Sequence, residues 1–401
     1  MNKFISVGVL CALFMSACTA PAGSSSKNPV SAERYRNLFH DALKKDDKAI
    51  QQKIDTAWQQ LFYGNDQSER VYYPVGDDMA YILDVGNRDV RSEGMSYGMM
   101  ISVQLDKNAE FDRLWKWAKT YMQHTEGQFQ TYFAWHCRTN GEKIDTNPAS
   151  DGEVWITTAL LFAAARWGNG EGIYNYRAEA QAILDTMLHA EKRNPLASNT
   201  FNAKNKQVVF VAMSGEDDYT DPSYHLPHYY ELWAIAADKD NDFWHEAAQA
   251  SRAFFKTAAH PTTGLMPDYA NFAGTPYLHP NHQHFRFDAW RAGANVAIDY
   301  VWFGKDPWAV EQSNRLLAFF DKQGDNYVNQ FELDGKPLSS DHSTGLVAMN
   351  AVAALASDNG LAPKFAQALW DAPIPSGQWR YYDGMLYLIA LLHVSGQFQA
   401  Y

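Results

Sequence analysis

The chain has 401 residues, 46% hydrophobic and 20% charged, which supplies a large core and excludes wholesale disorder. A formal net charge of −12, with no run of clustered Lys and Arg, excludes a nucleic-acid surface and points to a neutral or weakly charged ligand. Aromatics reach 14%, with 13 Trp and 22 Tyr; stacking of flat rings on sugar faces is one use of that excess, and an aromatic-rich core is the other.

In chain order, Lys3, the apolar run from Phe4 to Phe14 and the small residues Ser16 and Ala17 read as an export signal over residues 1–17, too short to span a bilayer. Met15-Ser16-Ala17-Cys18 resembles a bacterial lipobox, with Met in place of the commoner Leu, in which the cysteine is acylated and becomes the mature N-terminus. Cleavage near Ala20 to a soluble product is the alternative. Residues 18–30 are polar and suit a tether. The expected location is the cell envelope, lipid-anchored through Cys18 in the periplasm or outer membrane, or otherwise periplasmic or secreted. Of three cysteines, Cys11 lies in the signal and Cys18 at the processing site, so Cys137 has no partner for an intramolecular disulfide.

From residue 31 to 401 one theme recurs, predicting a single domain. Apolar, small-residue-rich segments begin near Glu93, Asp151, Ser223, Asp288, His342 and Asp383; apolar on nearly all sides, they predict buried inner helices. Amphipathic segments at 49–61, 109–122, 175–189, 242–255, 307–320 and 363–370 predict an outer layer. Six of each, alternating, describe α-hairpins closing into a two-layer α/α toroid; a solenoid would repeat more regularly.

The connections ahead of the inner helices are long. Residues 125–150, 199–222 and 260–287 carry Gly, Pro, Asn and aromatics, with strand-like stretches such as Gln207-Val-Val-Phe-Val-Ala-Met213. All lead into inner-helix N-termini, which puts the active face on that rim. Four inner helices begin with or just after a carboxylate there, in Arg91-Ser-Glu93-Gly94, Ser150-Asp151-Gly-Glu153, Thr220-Asp221-Pro-Ser223 and Arg286-Phe-Asp288-Ala289. Any one alone reads as a helix cap. Four converging on one rim supply what acetal hydrolysis needs, an acid and a base on opposite sides of a sugar.

Ser92-Glu-Gly-Met-Ser-Tyr-Gly-Met-Met100, Tyr132-Phe-Ala-Trp-His-Cys137, Asp151-Gly-Glu153, Asp221-Pro-Ser-Tyr-His-Leu-Pro227, Phe285-Arg-Phe-Asp-Ala-Trp-Arg291 and Tyr381-Tyr-Asp-Gly-Met-Leu-Tyr387 together resemble glycoside hydrolase family 8, and within it the reducing-end xylose-releasing exo-oligoxylanases. The resemblance runs over nearly the whole chain from residue 31. It implies an all-α (α/α)6 barrel, as periodicity does independently, inversion at the anomeric carbon, xylo-oligosaccharide substrates and no cofactor. Carried over motif by motif, it makes Glu93 the general acid and Asp288 the general base. Asp151 matches the carboxylate that holds the distorted sugar, and Tyr224 a tyrosine that positions the attacking water. An endo-acting xylanase of the same family is the alternative within this chemistry. A non-catalytic carbohydrate-binding lipoprotein is the alternative of another class, against which Glu93, Asp288 and Tyr224 together argue.

For Glu93 to donate a proton near neutrality, burial and the charge of Asp151 must raise its pKa against the helix terminus. Asp288 must stay ionised, held so by its own helix terminus and by Arg291 at i+3, which is also expected among the substrate-binding residues. Inversion expects the two carboxyls roughly 6.5–9.5 Å apart. Trp135, Tyr381 and Tyr382 are candidates for sugar stacking, with core packing as the alternative. Arg91 and Arg286 are placed to bond hydroxyls or orient carboxylates. His342 reaches the reducing end or caps its helix, and His225 and His228 read as hydrogen-bonding rim residues. His279, His282 and His284 cluster without the flanking ligands of a zinc site, so no metal is expected.

Overall fold

The computed structural model describes Met1 and residues 29–401; the expected export signal, Cys11 and Cys18 lie outside the described residues. After a single turn, α1 (Leu38–Asp41), twelve longer helices alternate between two layers. The outer ones are α2 (Asp47–Tyr63), α4 (Asn108–Trp117), α6 (Tyr176–Arg193), α8 (Asn241–Ala258), α10 (Trp308–Gln323) and α12 (Ala362–Asp371). The inner ones are α3 (Ser92–Gln104), α5 (Ser150–Trp167), α7 (Pro227–Ala236), α9 (Trp290–Phe303), α11 (Thr344–Ala353) and α13 (Arg380–Val394).

Composition explains the layering. Every residue of α5 from Ser150 to Ala163 is buried, because its small and apolar residues can face neighbours on all sides. In α8 the buried positions, among them Trp244, Ala247, Ala248, Ser251 and Phe255, recur at helical spacing, and the polar remainder faces out. Each inner helix packs on the next, and α13 returns to α3, which closes the expected (α/α)6 ring.

Five inner helices also pack on the outer helix that follows them in the chain, whereas α13 takes α2, the first outer helix, as its partner. The sixth hairpin is therefore made from the two ends of the domain. At that seam Leu61 lies over Gly384 of α13, so closely that a Cβ there would sit 2.7 Å from the leucine side chain.

Two differences from the sequence expectation lie on the rim. Residues 207–213 form no strand; Val208 makes one isolated bridge to Phe201, and the Phe210 ring packs instead among Tyr219, Tyr224 and Tyr269. The inner helix expected from Ser223 begins at Pro227, because Asp221 accepts the Ser223 N–H at 2.6 Å and closes a 3₁₀ turn, Pro222–Tyr224, ahead of it. A similar turn, Phe287–Ala289, precedes α9 and carries Asp288. Both turns move their key side chains off the regular helix and over the cavity.

Leu61 is fully buried, so Leu61→Ala should lower the unfolding free energy by about 2–5 kcal/mol, read from thermal or denaturant unfolding. A loss below about 1 kcal/mol would mean that this contact does not hold the seam.

Candidate active site

The rim loops enclose a cleft of about 1120 Å³, larger than the roughly 300–1,000 Å³ of an ordinary small-molecule pocket and sized for a short oligomer. Glu93, Trp135, Asp151, Tyr224, Asp288, His342, Tyr381 and Tyr382 all line it. Arg291, expected among the substrate-binding residues, does not: only 5% of its side chain is exposed, and it lies under the floor.

From there Arg291 gathers the acids. Its Nη1 donates to Glu93 Oε2 at 3.2 Å and approaches Asp151 Oδ2 at 3.5 Å, while Nη2 donates to Asp288 Oδ1 at 2.7 Å and to Ser223 Oγ at 3.0 Å. Tyr97, one turn beyond Glu93 on α3, also meets Nη1. The i,i+3 pair of Asp288 and Arg291 is present as the sequence suggested, and the same fork reaches two acids from other helices. Because the terminal nitrogens of a guanidinium are about 2.3 Å apart, Glu93 Oε2 and Asp288 Oδ1 can be no more than about 8 Å apart, within or below the separation of inverting glycosidases.

The three carboxylates differ in exposure: 5% of the side chain for Asp151, 17% for Glu93 and 30% for Asp288. Burial pushes Glu93 up to about 7; Arg291 opposes that shift, and Asp288 and Asp151 add to it. Burial also raises Asp151 to about 6, against Arg291 and with Asp288. The Tyr224 hydroxyl is driven well up by burial, reinforced by Asp151 and Asp288, and so stays protonated as a donor.

Tyr381 is packed away rather than open for stacking. It is 4% exposed, its hydroxyl donates to Glu93 Oε1 at 3.0 Å, and its ring lies on Gly94, where a Cβ would come within 2.5 Å. Its contact orients the acid. Tyr382 leans on Trp290 at 5.7 Å and donates to the Phe287 carbonyl at 3.0 Å, which ties α13 to the turn holding Asp288. Trp135 stacks on His136 at 4.6 Å, with the Arg91 guanidinium 5.7 Å above its ring. Arg91 pairs with Asp84 and Asp89, and Arg286 donates to the Asn281 carbonyl, so both order loops. His342 Nδ1 donates to the Tyr327 carbonyl at 2.7 Å, leaving Nε2 as the ring's acceptor. It does not cap α11; the Gly345 N–H there is taken by Asp383 of α13.

His225 and His228 are not rim residues: they are 0% and 1% exposed. His225 bonds the hydroxyls of Thr220 and Ser251, and burial lowers its pKa to about 3. Sequence reading missed Asp268, which takes the Ala289 N–H at 3.2 Å and faces His282 Nδ1 at 2.9 Å, bracing the turn that carries Asp288. It also missed Trp379, an exposed ring in the cleft wall.

Ring order sets where the two acids stand. Three steps separate α3 from α9, so Glu93 and Asp288 face each other across the ring, with α5 and α7 on one side and α11 and α13 on the other.

Residues 81–396 match the family model of glycosyl hydrolases family 8. The chain belongs to that family. It is 46% identical to the reducing-end xylose-releasing exo-oligoxylanase of Paenibacillus barcinonensis, over 94% of this chain and 99% of that one. The structure of that relative with xylose superposes with a TM-score of 0.89, covering 94% of this chain and 100% of the other. Identity to the Halalkalibacterium halodurans enzyme of the same name is 44%, over 91% of this chain and 94% of that one. A family 8 xylanase from Teredinibacter turnerae, solved as a catalytic mutant with xylohexaose, gives a TM-score of 0.89 at 46% identity, covering 92% of this chain and 99% of the other. This family 8 chain is thus a glycoside hydrolase with an (α/α)6 barrel.

Arg291 opposes the upward shift of Glu93, so Arg291→Gln should move the Glu93 titration above about 7, read by carboxyl ¹³C NMR. A midpoint that stays or falls would show that the guanidinium does not set this carboxyl.

Proposed function

We propose that this chain hydrolyses β-1,4-xylosidic bonds in short xylo-oligosaccharides and releases xylose from the reducing end with inversion. Relatives named for that activity, similar over more than nine-tenths of the chain, support the substrate. The observation that carries the chemistry is the bridging of Glu93 and Asp288 by one guanidinium across an oligomer-sized cleft.

Glu93 is the general acid. Held to about 7, it keeps a proton near neutrality and gives it to the glycosidic oxygen as the bond from that oxygen to the anomeric carbon breaks. Asp288 is the general base: it takes a proton from the water that attacks the anomeric carbon from the other face. Tyr224, as a hydroxyl donor, positions that water, and Asp151 holds the sugar whose anomeric carbon reacts. Trp135 and Tyr382 supply apolar faces, while His342 Nε2 accepts from a hydroxyl at the reducing end. Tyr381 and Arg291 act through Glu93 and Asp288 rather than on the sugar. We further propose that export and acylation at Cys18 tether this activity to the cell envelope. Labelled palmitate should then enter the protein in the cells that produce it and be lost in Cys18→Ala; equal labelling of both forms would reject the tether.

Given xylotetraose, the protein should yield mainly xylose and xylotriose, with ¹H NMR of fresh product showing the α anomer at the new reducing end. Glu93→Gln should bind the oligosaccharide and lose on the order of 10²–10⁴ in turnover. Random scission of polymeric xylan, or a β anomer, would reject this reading.

A further inference from the structure

The segment that leads into the barrel docks on the face opposite the cleft. All six inner helices start at the rim, so their C-terminal ends form the other face, the base. Such helix ends present unpaired carbonyls and partial negative charge, which attract cations. Arg34 and Arg36 meet that need. The Arg34 guanidinium lies over Gly304, directly after α9, where a Cβ would sit 2.9 Å from it. Arg36 donates to the Leu355 carbonyl just past α11. Between them, Tyr35 packs edge-on against Trp302 at 6.3 Å, and its hydroxyl accepts the Ala400 N–H at 3.0 Å. Its carbonyl lies over Gly396, beyond the end of α13. Three consecutive residues thus span the ends of three inner helices, and the chain enters the barrel from the base.

The cleft mouth and this entry segment differ in charge. Of the side chains that line the cleft, eight are Asp or Glu against the single Arg91. The entry segment carries Arg34 and Arg36 against Glu33, all three exposed. A bilayer with anionic headgroups repels the first and attracts the second over the roughly 8 Å that such fields reach at physiological salt.

Reach points the same way. Val30 is already buried, and residues 18–30 can span at most about 40 Å even when fully extended. Between base and rim, α5 with its 18 residues makes a wall about 27 Å high. To turn the mouth toward a bilayer, the chain would have to pass beneath an outer helix, about 10 Å across, and climb that wall. That uses nearly the whole reach and gives up most of the chain's conformational entropy. Resting on the base uses little of it.

We propose that the base of the barrel faces an anionic bilayer and that the cleft opens away from it, so that oligosaccharides enter from solution. This rests on the acylation of Cys18 proposed above and is independent of the acid–base assignment.

Energy transfer from a maleimide dye on the protein to an acceptor lipid reads the orientation. Ile235→Cys places a thiol at the last turn of α7, on the base. Leu278→Cys places one on the rim, beside Tyr277, whose N–H bonds the carbonyl of Tyr269 in the cleft wall. Cys137 is buried and Cys18 is acylated, so the introduced thiol alone takes the dye. Both positions are exposed, at 67% and 89%, where substitution costs little stability. On vesicles of phosphatidylethanolamine and phosphatidylglycerol, transfer from position 235 should be at least about two-fold more efficient than from 278, because about 27 Å of helix separates the two faces. Adding Cys18→Ala should release the protein from the vesicles and abolish transfer from both. Equal transfer from the two positions of vesicle-bound protein, or stronger transfer from 278, would overturn the orientation and leave the tether standing. Protein with Cys18 intact that fails to float with the vesicles would remove the tether, and the orientation with it.

Discussion

Three carboxylates from different parts of the chain meet one positive group. Glu93 on α3, Asp151 on α5 and Asp288 ahead of α9 all contact the guanidinium of Arg291, which is itself shut away from the cleft. Bringing that many acids together under little water is costly if all are charged and unpaired. Arg291 supplies one compensating charge, and burial raises the pKa of the two more enclosed acids, Glu93 and Asp151. The same guanidinium limits the separation of Glu93 and Asp288 and opposes the upward shift of Glu93, so geometry and electrostatics cannot be altered independently at this centre.

The barrel turns that local arrangement into a directional cleft. Six inner helices point their N-termini at one rim, and Glu93 and Asp288 stand at opposite members of the ring. The loops between those two members are then sorted into two flanks of the cleft. Tyr381 and Tyr382, adjacent in sequence at the start of α13, serve both sides of the centre: one hydroxyl bonds Glu93, and the other bonds the turn that carries Asp288. Asp268 braces the same turn from behind.

The inner helices were legible because segments such as 150–163 are apolar around their whole circumference, and only a helix surrounded by protein tolerates that. The acids were legible as a set at one rim, with motifs that resemble a known family. Contacts made through space were not. Nothing in the spacing of Arg291 tells that it serves acids 198 and 140 positions away, beyond its neighbour at i+3. Tyr381 looked like a sugar platform because its type allows it, yet the absence of a side chain on Gly94 lets its ring sink against α3. His225 and His228 follow a rim motif in sequence, but the turn at Pro222–Tyr224 carries the chain down into the core. The strand-like run at 207–213 was misread because its aromatic residue is claimed by three other rings. Trp379, set in polar surroundings, carried no signal that it stands in the cleft wall.

The seam between α2 and α13 has a consequence for how the molecule comes into being. A ribosome delivers the first outer helix well ahead of its partner, so its strip of apolar surface waits while all the intervening helices are made before it is covered. Tyr381 and Tyr382 arrive on that final inner helix. The nascent barrel is thus both unsealed and without two of the side chains that line its cleft until α13 docks, so loss of that helix would open the ring and strip the contacts to Glu93 and to the turn that carries Asp288 in one step.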